Sequence, residues 1–164
     1  HVAGGGMGKC GVYRPRQVHV VLPKACRVVA VQNIVNKGLE RRFAAAAVEL
    51  RRLGYSTHVD VAYHGTDADT SYLIAAGGFI APQSAAGQRL AHRSGNSGFY
   101  GNGIYLSPHP TVAQAYANGG RLLVCNVLRG HAYQCPGMML GAQLATGYSS
   151  HASPDGREWV FFNT

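Results

Sequence analysis

From residue 39 the apolar residues fall at Leu39, Phe43, Ala46, Ala47, Leu50 and Leu53. Steps of three and four line one face of a helix. Asn36 is its candidate cap, Arg51 and Arg52 fall in the last turn, where the helix dipole favours cations, and Gly54 is the stop. Shorter apolar runs have another character. Gln17–Leu22, Cys26–Val31, Val59–Tyr63, Arg121–Leu128 and Glu158–Phe162 are rich in β-branched or aromatic residues, and they predict strands. The first is broken by Pro23. Asp67–Ala76 predicts a short helix with an acidic first turn and Gly77-Gly78 behind it. A second short helix is expected near Thr111–Asn118, ending at Gly119. The rest reads as connection: residues 1–11, with five glycines, as a tail; 81–98, rich in Gly, Ser and Ala, as one long loop; 129–156, with Pro136 and Pro154, as mostly loop. The pattern predicts an α+β chain with a single domain over residues 12–164.

Composition narrows this picture. The chain has 164 residues, of which 46% are apolar, enough for one domain with a real core. No apolar run approaches the ~18 to 20 residues of a membrane span. No signal peptide is visible, and the start at His1 leaves a removed one open. Cys10, Cys26, Cys125 and Cys135 form no C-x-x-C pair, so free buried thiols are expected, with an intracellular setting, nuclear or cytoplasmic. Eight histidines lie singly, with no H-x-x-x-H or H-E-x-x-H spacing, so no metal site is expected. The net charge of +8, with only seven acidic residues, permits contact with phosphates of a nucleotide or a nucleic acid. The basic residues are dispersed and not interleaved with aromatics, which favours a solvated surface.

The stretch Gly98-Phe99-Tyr100-Gly101-Asn102-Gly103-Ile104-Tyr105-Leu106-Ser107 holds three glycines and three aromatics in ten residues. Such glycine density marks a sharp turn or a close approach of a ligand, and Tyr offers a planar ligand an apolar face and a polar tip. Pro108 and Pro110 follow, then Tyr116. Two other residues stand out. His64 precedes a glycine near a strand end. Glu158, one of three glutamates, opens the most aromatic strand, and a carboxylate beside Trp and Phe is costly unless paired or functional. Each alone has an ordinary structural explanation.

In order, the blocks Gln32-Asn33, Tyr63-His64-Gly65-Thr66, Gly78-Phe79, Tyr100-Gly101-Asn102-Gly103-Ile104-Tyr105, Tyr116, Arg121–Val127, Gly147-Tyr148-Ser149-Ser150 and Glu158-Trp159-Val160-Phe161-Phe162 resemble the catalytic domain of the poly(ADP-ribose) polymerase family. These are diphtheria-toxin-like ADP-ribosyltransferases of the His-Tyr-Glu type. The resemblance runs from about Arg27 to the C-terminus. It implies a split antiparallel β-sheet core with an NAD cleft and flanking helices, NAD as co-substrate, and glycosyl transfer of ADP-ribose to a protein or nucleic-acid acceptor.

The resemblance also implies roles. His64, Tyr105 and Glu158 would be the catalytic set. Tyr105 and Tyr116 would sandwich the nicotinamide ring, and Gly65 would hold its carboxamide through the backbone. His64 would bond a hydroxyl of the adenosine ribose. Glu158 would bond the 2-hydroxyl of the nicotinamide ribose and favour the positive charge that develops there. Thr66 and Tyr100, in the same blocks, would also touch the dinucleotide. The loop 81–98 would line the adenine side, with Arg89, His92 or Arg93 toward the pyrophosphate.

Two departures accompany the resemblance. Many relatives carry Ser where this chain has Ala113, so one hydrogen bond to the carboxamide, on the order of 1 kcal/mol, is lost. The chain stops at Thr164, where relatives continue, and the expectation is a domain truncated there. The stretch upstream is too short for the helical bundle that gates DNA-dependent members, so the resemblance is to members without it, and further domains in a longer chain stay open. The alternative reading is a non-catalytic module of the same fold that binds NAD, ADP-ribose or RNA.

Overall fold

The computed structural model describes residues 27–90, 98–117 and 120–163. The predicted strand Gln17–Leu22 lies outside them. The class is α+β, with two small sheets and four helices among the described residues.

Helix α1 covers Lys37–Arg52. Asn36 caps it, accepting from the amides of Gly38 and Leu39 at 3.0 and 3.2 Å. The same side chain donates to the carbonyls of Ala75 and Ala76, at the C-terminal end of α2 (Ala68–Gly77). One asparagine therefore satisfies unpaired groups at two helix ends. Leu39, Phe43, Ala47 and Leu50 are half-buried, while Ala46 and Leu53 are exposed, so the periodic face is covered only along its centre. Asp67 caps α2 by accepting from the Thr70 amide at 2.8 Å.

Strand β1 (Val59–Thr66) pairs antiparallel with β3 (Arg121–Leu128), Val59 opposite Leu128 and Thr66 opposite Arg121. The second sheet has the order β2-β6-β5-β4, built from Ile104–Leu106, Trp159–Phe161, Ser150–Ala152 and Ala132–Gln134. Its pairs are antiparallel except β4 with β5, which is parallel, so the sheet is not wholly antiparallel as expected. A single bridge, Tyr63 with Ser107, joins the two sheets. Helix α4 (Pro110–Gln114) lies against β1 and β3. The core gathers Ala62, Leu106, Val127, Ala152 and Trp159, with Phe79 and Phe161 against it.

Two expectations need correction. Residues 27–31 form no strand: Val29 and Val31 are 82% and 87% exposed, and β-branched side chains favour extended backbone without supplying the partner ladder that makes a strand. The loop 81–98 contains a helix, α3 (Ala85–Leu90). Ser84 accepts from the Gly87 amide at 3.0 Å, and the alanines read as loop filler are the strongest helix formers. Residues 129–156 are mostly loop, as expected, and carry in addition β4 and β5, each three residues long and too short to show an alternating pattern between their turns.

Candidate active site

The expected catalytic residues lie around the seam between the sheets. His64 is on β1, and its Nδ1 meets the Tyr105 carbonyl at 2.8 Å. A carbonyl only accepts, so Nδ1 carries the proton and Nε2 is left as the acceptor. Burial lowers the pKa of His64 and the Tyr105 carbonyl partly opposes that, so the ring favours its neutral form. Phe79 meets the ring edge-on, with centroids 5.0 Å apart.

Tyr105 is the centre of β2 and faces Val160 across the ladder. Glu158 immediately precedes β6, two residues before Val160. The Tyr105 hydroxyl has a task of its own. It accepts from the Tyr100 amide at 2.8 Å and donates to the Gly101 carbonyl at 2.8 Å, tying the glycine-rich turn to the strand. Burial first, and the nearby Glu158 charge among smaller causes, pushes its pKa up to about 12. Tyr100 feels Glu158 as well: burial raises its pKa first, then the carboxylate.

Glu158 is half-buried, and its carboxylate makes no hydrogen bond or ion pair among the described residues. Burial raises its pKa first, Asp155 adds to the rise, and Arg157 opposes it. Its backbone is held by Ser153: the Ser153 amide donates to the Glu158 carbonyl at 2.9 Å, and the Glu158 amide donates to Ser153 Oγ at 3.0 Å. The turn Ser153-Pro154-Asp155-Gly156 aims the glutamate, with Gly156 at φ +71.

Gly65 sits where no side chain fits. A Cβ there would lie 1.8 Å from the Ala113 carbonyl oxygen and 2.9 Å from the Ala117 amide nitrogen. The glycine admits the close approach of α4, which brings buried Ala113 beside it; Tyr116 follows in the next turn, 54% exposed. Thr66 is buried at the end of β1. Arg89 is exposed in the last turn of α3 and makes no hydrogen bond or ion pair to this cluster among the described residues. His92 and Arg93 lie outside the described residues.

Among the concavities of the described residues are ones of 540 and 360 Å³. Neither is lined by the expected NAD residues: the larger is bounded by residues including Gln83, Gln143 and Phe162, the smaller by residues including Tyr55 and His131.

Two residues were missed in the sequence. His151 is wholly buried. Its Nε2 accepts from the Ala145 amide at 2.9 Å, so Nδ1 carries the proton donated to the Tyr100 carbonyl at 2.7 Å. It props the glycine-rich turn from beneath. Nothing distinguishes it from seven other single histidines in the sequence. Ser107, also buried, donates to the Arg157 carbonyl at 2.6 Å and carries the bridge to Tyr63. Its only signal is its place after the glycine-rich block. A scan against protein-family models found no match, and a search of curated proteins found no significant match.

Proposed function

We propose that this chain is an NAD-dependent ADP-ribosyltransferase. The observation that carries the reading is the meeting of His64, Tyr105 and Glu158 at the seam, by the 2.8 Å bond from His64 Nδ1 to the Tyr105 carbonyl and by the pairing of Tyr105 with Val160 beside Glu158. A His and a Tyr far apart in sequence meet by this bond, and the Glu158 charge is near enough to act on Tyr105, which supports the reading. The chemistry of each side chain suits its role. His64 Nε2 is free to accept a ribose hydroxyl proton. The exposed Tyr116 ring can stack on nicotinamide. The Glu158 carboxylate can accept from the ribose 2-hydroxyl.

In the reaction the bond between ribose C1 and the nicotinamide nitrogen breaks, and its electron pair leaves with nicotinamide. Positive charge builds on the ribose, and the Glu158 anion stabilises it. The acceptor oxygen or nitrogen then bonds to C1 and gives up its proton. Protein side chains and nucleic-acid ends are the acceptor classes.

One observation favours the second reading, a binding module for NAD, ADP-ribose or RNA. Ala113 offers no hydroxyl to the carboxamide. Nicotinamide release from NAD decides between them. The proposal expects release by the wild-type chain and its near loss in Glu158→Gln; folded protein that binds NAD without releasing nicotinamide supports the module.

A further inference from the structure

The 360 Å³ notch bounded by Gly54, Tyr55, Ser56, Gly130 and His131 belongs to no part of the proposed active site. It lies between the end of α1 and the turn after β3, beyond the Val59 end of β1. His64 is five residues further along that strand, about 17 Å away.

The notch is built from fixed rings. His131 Nδ1 donates to the Gly147 carbonyl at 3.0 Å, which leaves Nε2 without a hydrogen bond among the described residues. The Tyr55 hydroxyl donates to the same carbonyl at 2.8 Å. The His131 amide donates to Ser149 Oγ at 2.7 Å. The His131 ring stacks on Tyr148, with centroids 4.4 Å apart and planes inclined by 25°, and Tyr55 stands at 47° to it. An exposed ring backed by a second ring is a stacking platform whose order is already established before a ligand arrives.

Two arginines lie close to its lining residues in the sequence. Arg51 is exposed and makes no ion pair among the described residues, and it comes three residues before Gly54. Arg129 adjoins Gly130 and lies over the Trp159 ring at 4.3 Å. Of the nearby acids, Glu49 is bound to Arg52 at 2.7 Å, and Asp60 is 3.5 Å from His58. No carboxylate lines the notch.

We propose that the notch is a docking subsite for single-stranded nucleic acid, one base stacking on His131 and the phosphate chain running toward Arg51. Base stacking on an aromatic face with phosphates on adjacent basic groups is how such strands are held without sequence reading. The overall charge of +8 adds a favourable approach.

The test is fluorescence anisotropy of a short labelled oligouridine with the 164-residue chain, together with amide chemical-shift mapping. Binding should weaken about tenfold in His131→Ala and stay within about twofold in His131→Phe, which keeps the ring face. Arg51→Gln should lower the salt slope by about one. Shifts should centre on Tyr55, Gly130 and His131. Thermal midpoints identify a variant that fails to fold; the shift map of the wild-type chain then carries the test. Absent binding, shifts elsewhere, an unweakened folded His131→Ala, or equal binding of duplex or polyglutamate would each overturn the proposal.

Discussion

At the scale of single residues, Glu158 is the most exposed to test. Its ionised form is held at a cost, since burial and Asp155 both raise its pKa. If the anion is the working form, turnover falls as the pH drops through a pKa above the ordinary carboxylate value. Asp155→Asn removes a raising influence, so the acidic limb of a pH–rate profile should move to lower pH; Arg157→Gln should move it to higher pH. An unmoved limb in both variants would exclude Glu158 as the titrating group. The linkage sign is equally definite. A carboxyl with a folded pKa above its unfolded value loses stability as pH rises through that interval. Glu158→Gln should therefore keep or raise the thermal midpoint at neutral pH while turnover falls about a hundredfold or more, a split that a merely structural residue would not give. At Tyr116, 54% exposed, the proposed stacking on nicotinamide expects Ala to weaken NAD affinity more than Phe, which keeps the ring face. Titration calorimetry compares them.

At the scale of elements, the glycine-rich turn behaves as a part built around one hydroxyl. Tyr105→Phe would leave the Tyr100 amide and the Gly101 carbonyl without that partner. The expected loss is about 1 to 3 kcal/mol in denaturant unfolding, the range for a buried group left unsatisfied. The sequence marked this turn as a place for stacking, and it could not show that the tyrosine's polar tip faces inward to hold the backbone. Legibility followed the strength of the local signal: even the three-residue β6 was readable from its aromatic run, and the five-residue α4 from the proline before it and the glycine after it. Helix α1, β1 and β3 span enough residues for periodicity or β-branching to rise above noise, and their capping residues were readable too. Helix α3 and strands β4 and β5 are one or two turns or three residues long, and tertiary pairing defines them. Residues 27–31 show the reverse case: β-branched side chains favour extension but have no partner strand there among the described residues. Gly65 was read as a residue whose backbone meets a ligand; the structure adds a steric reason, the α4 carbonyl 1.8 Å from where a Cβ would stand.

At the scale of the whole molecule, the order of the blocks suggested which residues meet, but not what holds the halves together. His64 and Gly65 belong to one sheet, Tyr105 to the other, and Glu158 precedes its strand β6. Besides the His64 bond, the seam rests on Ser107. Its backbone exchanges bonds with Tyr63 at 2.7 and 2.9 Å, its hydroxyl donates to Arg157, and that oxygen accepts from the His109 amide at 3.0 Å. Arg157 immediately precedes Glu158, so the hydroxyl holds the backbone on which the glutamate is mounted. Ser107→Ala keeps the backbone bridge but frees the Arg157 carbonyl and the His109 amide. Stability should drop by about 1 to 3 kcal/mol. The functional consequence separates a seam from an ordinary buried serine. Tyr116 and Gly65 stay with the first sheet and α4, so NAD affinity should change little. The residue before Glu158 loses one restraint while the Ser153 bonds to Glu158 remain, so the proposal expects slower nicotinamide release, because small misplacements at the reacting centre are expensive. The measurements are denaturant unfolding, NAD affinity and the rate of release on the same preparation. A Ser107→Ala variant that is destabilised yet releases nicotinamide at the wild-type rate would show that the seam holds the fold without aligning the chemistry.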